Sequence, residues 1–138
     1  MIDKFNNIFY LIIYLVHFAG VGIYAYQTIA DTKGFMKKFG IDKSGAIMIR
    51  LAGAFMLAVF LMSIYVGFIR PGGLNATWAF FNLVFLNNLC IFLCNFYSVK
   101  INKTGVSKKT GMEPVYAPLA FTIMSAILCF GLADKIYV

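Results

Sequence analysis

Charged residues are scarce in this sequence: they make up 12% of its 138 positions. Soluble domains carry about 25% charged residues, so a water-soluble fold of this composition could not cover its surface with charge. Hydrophobic residues account for 62% of the chain, against about 45–50% in soluble domains. The composition therefore excludes a soluble globular protein and predicts an integral membrane protein.

Catalytic and metal-binding motifs are also absent from the sequence. The three cysteines, Cys90, Cys94 and Cys129, lack CxxC or Cys/His metal spacing, and we interpret them as small buried packing residues. There is no H-E-x-x-H, G-x-S-x-G, P-loop or dinucleotide-binding glycine pattern. The sequence thus offers no catalytic residue and no metal ligand set, which favours a non-enzymatic protein.

The positive charge of the chain does not indicate nucleic-acid binding. The formal net charge is +7, which would suggest nucleic acid in a soluble protein. In a membrane protein, basic loops retained on one side give the same excess. Most of the basic residues are Lys rather than Arg, which argues against guanidinium forks for phosphate. We therefore expect no nucleic-acid partner.

Four charge-poor segments predict four transmembrane helices within a single domain, residues 1–138. Each has about the 20 residues that a helix needs to cross the hydrocarbon core, and none alternates as a membrane strand would. The fold class is therefore an all-α four-transmembrane-helix bundle. The turn RPGG at 70–73 predicts that the second and third spans form an antiparallel hairpin. The spans are expected at about 8–30, 46–69, 74–97 and 115–133.

The distribution of lysine predicts the orientation of the bundle. The loops 31–45 and 98–114 share one side and contain eight lysines, whereas the other side holds only Lys4, Arg70 and Lys135. Basic loops stay on the cytoplasmic or matrix side, so both termini are expected on the non-cytoplasmic side. We expect the bacterial inner membrane, with the mitochondrial inner membrane as the alternative.

The first span carries a polar and aromatic stripe that should face protein rather than lipid. Its members are spaced 4, 3, 4, 3 and 4 residues apart and so share one helix face. His17 lies near the middle of the span, where an ionisable residue is a functional candidate: a proton relay, a haem ligand or a ligand-binding group. The alternative is a neutral His bonded to a Tyr or Asn across the bundle. The stripe consists of Tyr10, Tyr14, His17, Val21, Tyr24 and Thr28.

The third span carries five asparagines, which hydrocarbon cannot satisfy. One interpretation is hydrogen bonding between helices, worth about 0.6–2 kcal/mol for each bond. The other is a polar pocket lined by Asn87, Asn88 and Asn95, together with His17. We prefer the first interpretation and keep the second open. The full set is Asn75, Asn82, Asn87, Asn88 and Asn95.

Arg50 lies about one turn into the second span, and small residues follow it. Arg50 either snorkels to the headgroups or contacts an anion or lipid headgroup. Gly53, Ala54 and Ala58 lie on a ridge that would let another helix approach closely. This pattern predicts helix packing and indicates no chemistry.

The run FGIDKSGAIMIRLAGAFMLAVFLMSIY at 39–65 resembles small DoxX-like four-helix membrane proteins. In those proteins an Arg precedes Gly/Ala and a long aliphatic run at the start of the second helix, as Arg50, Gly53 and Ala54 do here. The resemblance implies a compact four-helix bundle, often an accessory partner in membrane redox or stress functions. It implies no catalytic residue.

The preferred expectation is an accessory or structural subunit of a larger membrane protein complex. The alternatives are a small-molecule, lipid or quinone-binding protein or transporter, and a membrane redox or haem-binding protein. We expect bound lipid and no cofactor, with haem or quinone kept as alternatives, and partners among membrane lipids, other membrane subunits or a second copy. The candidate ligand-binding residues are His17, Tyr14, Tyr24, Asn87, Asn88, Asn95 and Arg50.

Overall fold

The structure, a computed structural model, describes residues 2–138 and consists of helices and connecting turns, with no strand in that range. Four of its helical segments are long and apolar enough to cross a membrane, which confirms the predicted all-α architecture and indicates an integral membrane protein. The helices are α1 (Ile8–Ile29), α2 (Thr32–Phe39), α3 (Ala46–Ile64), α4 (Trp78–Phe96), α5 (Glu113–Gly131) and α6 (Ala133–Ile136).

Local chemistry sets several helix boundaries. The side chain of Asn7 accepts hydrogen bonds from two backbone N–H groups of the first turn of α1, which satisfies donors that a helix start leaves unpaired. Turns of π-helix, Tyr65–Ile69 and Tyr97–Asn102, extend α3 and α4. The helix α4 itself begins at Trp78, later than the predicted residue 74, because residues 71–76 form turns.

The predicted loop 31–45 contains a short amphipathic helix, α2. Its Met36 and Phe39 side chains are buried, while Lys33, Lys37 and Lys38 are exposed. Gly40 ends the helix in the left-handed conformation, with a φ of 68°, which glycine adopts at little cost. The sequence predicts only a loop here, because a segment of eight residues is too short to cross a membrane.

Two hydrogen bonds to Asp42 organise the chain between α2 and α3. Its carboxylate accepts from the backbone N–H of Ser44 at 2.9 Å and from the Ser44 hydroxyl at 2.7 Å. Both bonds stabilise the charged form, so they hold the pKa of the Asp42 carboxyl below its ordinary value. Asp42 thereby caps the 3-10 turn Lys43–Gly45.

The four long helices pack in the order α3, α1, α5, α4. The central helix α1 packs against both α3 and α5, and α4 packs against α5. The backbones of α3 and α4 stay apart, so the two spans that the turn at 70–73 connects do not form a closely packed pair. The connection is anchored elsewhere, since the backbone N–H of Ala76 donates to the carbonyl of Lys135 at 3.3 Å.

Both termini and the turn at 70–77 meet at one end of the bundle, which we call the terminal end. There Asn6 donates to Asp134 at 2.6 Å and to the Gly131 carbonyl at 3.0 Å. The residues 30–45 and 97–112 meet at the opposite end, which we call the lysine-rich end. The hydroxyls of Ser107 and Thr110 both donate there to the Phe39 carbonyl. The two predicted loops therefore do share one end.

The hydrophobic core lies mainly in the terminal half of the bundle. The ring of Tyr14 packs against Phe5 at a centroid distance of 4.8 Å and against Phe18 at 4.6 Å. Its hydroxyl donates to the Ser63 carbonyl at 2.5 Å, which links α1 to α3. Such aromatic pairs add to the stability gained by burial, so this half of the bundle is tightly closed.

The outer faces differ from the sequence interpretation in two respects. Gly53 is buried against α1, whereas Ala54 and Ala58 are exposed, so only the glycine serves packing within the chain. Among the cysteines, Cys129 is buried while Cys90 and Cys94 are exposed. The prediction that all three are buried packing residues is therefore wrong for two of them, because the face of α4 that carries them has no neighbouring helix.

Candidate functional site

A cavity of about 370 Å³ lies in the half of the bundle nearer the lysine-rich end. Its volume falls in the range of about 300–1,000 Å³ that is common for small-molecule sites. All four long helices line it, together with α2 and the segment 104–110. Both α3 and α4 line the cavity, and their backbones stay apart.

The cavity is mainly apolar, with polar groups at particular positions. Apolar walls come from residues such as Val21, Met56, Val59 and Ile91. The rings of Phe35 and Phe39 cover the lysine-rich end, with a centroid distance of 4.8 Å between them. The polar residues include three of the four asparagines of α4, Tyr24 and the carboxylate of Glu113. The three asparagines are Asn87, Asn88 and Asn95.

His17 lies behind the cavity wall and is completely buried. Its Nε2 is 2.9 Å from the amide nitrogen of Asn88, and its ring packs edge-on against Phe18 and Phe121 at 4.6 and 5.4 Å. Because the amide donates to Nε2, the neutral ring carries its proton on Nδ1. That Nδ1 is buried without a hydrogen-bond partner in the range 2–138.

Asn88 connects α1, α4 and α5 at one point. Its amide nitrogen lies 2.9 Å from His17 Nε2, 3.3 Å from Ser125 Oγ and 3.4 Å from the Phe121 carbonyl. The amide oxygen takes part in no hydrogen bond with the described residues, and the residue borders the cavity. Asn88 thus serves both interpretations of the asparagines: its nitrogen links helices and its oxygen faces the cavity.

Asn87 is the least satisfied of the polar lining residues. It is exposed at the cavity, and its amide forms no hydrogen bond with other residues of the described chain. An amide with no partner in an apolar membrane interior is costly. Asn87 and Asn88 therefore place an unpaired amide and an unpaired amide oxygen at the wall of one cavity.

Asn95 has a partner that follows from the sequence of α5. Its amide nitrogen donates to the Pro114 carbonyl at 2.7 Å. That carbonyl would normally accept from the residue four positions later, which is Pro118, and proline has no N–H. Asn95 replaces the missing helical bond and fixes α4 to the start of α5 at the edge of the cavity.

A carboxylate that the sequence analysis did not single out lies at the cavity end near α2. Glu113 accepts from the Tyr24 hydroxyl at 2.7 Å, and its two oxygens lie 2.7 and 2.6 Å from Lys38 Nζ. It was missed because the fourth span was predicted to begin at 115. One signal was present: Glu113 is the sole acidic residue of the segment 98–114 and directly precedes Pro114.

The remaining candidates lie apart from the cavity. Tyr14 belongs to the core of the terminal half, and Arg50 is an exposed residue whose Nε donates to Thr32 Oγ1 at 3.1 Å. Asn82 accepts from the Tyr137 hydroxyl at 2.9 Å at the terminal end, and Asn75 lies exposed in the turn. The structure thus gathers Tyr24, three asparagines and, behind Asn88, His17.

Comparisons with known proteins add nothing to this geometry. No protein-family model matches the sequence, and neither the curated proteins nor the solved structures include a match. Within residues 2–138 no group of three His, Cys, Asp or Glu side chains could hold a metal ion. The cavity and the groups that line it are therefore the features of this chain that point to a function.

Proposed function

We propose that this protein is a membrane binding protein that holds a small amphipathic molecule in the cavity between α3 and α4. The observation that carries the proposal is the unpaired amide of Asn87 and the unpaired amide oxygen of Asn88 in a mainly apolar cavity. Leaving a buried polar group unpaired costs about 1–3 kcal/mol. A ligand with an apolar body and a polar head removes that cost and fills the space.

The packing order of the helices supports a route for such a ligand. Because the backbones of α3 and α4 stay apart, we place the opening of the cavity between them, where the lining residue Asn87 is exposed. A molecule dissolved in the bilayer could enter sideways without passing the lysine-rich end, which α2 covers. This route suits a lipid-soluble ligand better than an ionic solute from water.

The surroundings of His17 argue against the haem alternative. Its Nε2 is occupied by Asn88, and its Nδ1 is enclosed by the packing of α1. Neither ring nitrogen faces the cavity, so haem ligation would require α1 and α4 to separate. We therefore assign His17 a role in holding the Asn88 amide.

The sequence-based orientation places the cavity near the cytoplasmic surface in this proposal. The lysine-rich end holds eight of the lysines, which favours the cytoplasmic side of a bacterial inner membrane or the matrix side of a mitochondrial one. The ligand would then lie in the leaflet facing that compartment, and both termini would lie on the opposite side.

A second proposal, an accessory subunit of a larger complex, is favoured by the outer face of α3. Ala54 and Ala58 are exposed there, four residues apart, and such small residues allow another helix to pack closely. A second membrane subunit or another copy of this chain would fit that face. The DoxX-like resemblance of residues 39–65 implies the same kind of role. The two proposals are compatible, since the cavity lies on the other side of α3.

Photolabelling of the detergent-purified protein tests the binding proposal. A single-chain lipid carrying a diazirine on its acyl chain should label residues of α4 and α5 that line the cavity. Ala117→Phe, which places a ring in the cavity lining, should abolish that labelling. The matched control is Ala120→Phe, one turn away on the exposed face of α5. Equal labelling of the wild type and both variants would show that the probe binds elsewhere.

A further inference from the structure

The orientation of the Asn88 amide is determined by its neighbours. The Phe121 carbonyl can only accept a hydrogen bond, and it lies 3.4 Å from the amide nitrogen. Ser125 Oγ donates its single proton to the carbonyls of its own helix, with Phe121 at 2.7 Å and Thr122 at 3.0 Å, so it also presents an acceptor to Asn88. An amide oxygen in this position would face two acceptors, so the nitrogen points to α5 and the oxygen to the cavity.

The Asn88 side-chain oxygen at the cavity wall is therefore an acceptor that receives no hydrogen bond from the described residues. Glu113 supplies no donor either, because its oxygens already accept from Tyr24 and Lys38. A ligand that brings only acceptors, such as a ketone, an ether or an oxidised quinone, can accept from the Asn87 amide but leaves the Asn88 oxygen unpaired. A ligand with a hydroxyl satisfies it.

The charge of the lining excludes a cationic donor. An ammonium group would also donate to Asn88, but the carboxylate at the cavity is paired with Lys38 at 2.6 Å. No other acidic residue lines the cavity. A cation held at this position would be buried without a counter-ion, which proteins avoid. The donor is therefore a neutral group.

The size and the opening of the cavity indicate the rest of the ligand. A volume of about 370 Å³ lies at the lower end of the range for small-molecule sites. It suits a single chain or a small ring rather than the two chains of a phospholipid. The apolar walls from Val59, Val84 and Ile91 would contact the first part of such a chain, and the remainder would extend between α3 and α4.

We infer that the cavity selects a neutral single-chain lipid alcohol, whose hydroxyl donates to the Asn88 side-chain oxygen. The inference rests on the proposed binding function and adds the chemical class of the ligand. In this arrangement His17 and Ser125 are positioning residues, because they hold the amide so that its oxygen faces the ligand.

A competition experiment with matched ligands tests the proposed chemical class of the ligand. Oleyl alcohol and oleyl methyl ether share the chain and the oxygen, and only the alcohol has a donor. Added to the purified protein with the diazirine lipid, the alcohol should reduce labelling at a concentration about 5–100-fold lower than the ether, as an unpaired buried acceptor predicts. A short-chain oxidised quinone, which has carbonyl acceptors only, should compete no better than the ether.

A variant pair assigns the preference to Asn88. Asn88→Leu should make the alcohol and the ether equally effective, whereas Asn82→Leu, which changes an asparagine of the same helix outside the cavity, should keep the preference. Because the wild-type comparison needs no variant, the test holds even if Asn88→Leu fails to fold. Equal competition by alcohol, ether and quinone at the wild-type cavity would overturn the lipid-alcohol inference and leave the binding function standing. Cavity labelling that survives Ala117→Phe would overturn the binding function itself.

Discussion

The amide nitrogen of Asn95 donates to the Pro114 carbonyl at 2.7 Å, across the contact between α4 and α5. The bond fills a position that Pro118 leaves empty, since proline has no N–H for the carbonyl four residues earlier. The pair explains how α5 carries an internal proline without leaving an unpaired carbonyl in the bundle. It also holds the edge of the cavity in place, because Asn95, Pro114 and Pro118 all line it.

Replacing Asn95 should therefore destabilise the protein by an amount that depends on Pro118. Asn95→Leu leaves the Pro114 carbonyl unpaired, and we expect a loss of about 1–3 kcal/mol in unfolding free energy. In a Pro118→Ala background the alanine N–H can donate to that carbonyl, so the same substitution should cost less. Reversible unfolding of the four proteins in mixed micelles measures both values.

The interaction energy of this double-mutant cycle is the informative quantity. A cost of Asn95→Leu that is the same with proline and with alanine at 118 would show that Asn95 does not replace the missing helical bond. Asn82→Leu serves as the control, because Asn82 bonds to Tyr137 at the other end of α4 and should be indifferent to residue 118.

The hydrogen bond between His17 and Asn88 predicts a second measurable coupling. Hydrogen bonds between membrane helices contribute about 0.5–2 kcal/mol, so His17→Leu and Asn88→Leu should show an interaction energy of that size. His17→Leu should be the milder change, since it also removes the unpaired Nδ1. Additive effects, measured by the same unfolding method, would contradict the bond.

Gly53 gives a prediction about the contact between α1 and α3. A Cβ added at Gly53 would lie 2.7 Å from Cγ1 of Ile29 and closer still to the Thr28 hydroxyl. Overpacking of this kind costs about 1–3 kcal/mol, so Gly53→Ala should lower the unfolding free energy by that amount. Gly72→Ala is the control, because its added Cβ would meet nothing closer than 3.7 Å and should change stability by less than about 0.5 kcal/mol. Equal effects of the two substitutions would show that α1 and α3 are not in close contact at Gly53.

The sequence predicted where the membrane-spanning helices lie along the chain better than it predicted which of them pack together. Length and apolar composition alone identify four spans, because the bilayer requires about 20 apolar residues whatever the fold. The packing order carries no such signal. The turn at 70–73 predicted that the second and third spans form an antiparallel hairpin, yet the backbones of α3 and α4 stay apart. The chain after the turn is bonded to α6 instead, through the Ala76 N–H and the Lys135 carbonyl.

The candidate site was predictable in part for a similar reason. Helical periodicity placed His17 and Tyr24 on one face of the first span, since it depends only on 100° per residue. It could not show that Asn95 compensates for Pro118, or that Asn88 meets His17, because those pairings depend on how three helices are placed. Glu113 was missed because a span boundary estimated from hydropathy excluded it by two residues.

The interaction of Glu113 with Lys38 yields a prediction about α2, which covers the cavity at the lysine-rich end. Glu113→Gln removes the ion pair but keeps an acceptor for the Tyr24 hydroxyl. Exposed ion pairs contribute about 0–1 kcal/mol, and α2 keeps its other contacts, from Arg50 to Thr32 and from Ser107 and Thr110 to Phe39. We therefore expect amide hydrogen exchange in α2 to rise by up to about fivefold, with global stability nearly unchanged.

The matched control, Asp134→Asn at the terminal end, should leave exchange in α2 as it is. Raising the salt concentration should bring wild-type exchange toward that of Glu113→Gln. Exchange in α2 that does not respond to Glu113→Gln or to salt would show that the ion pair plays no part in holding α2 over the cavity.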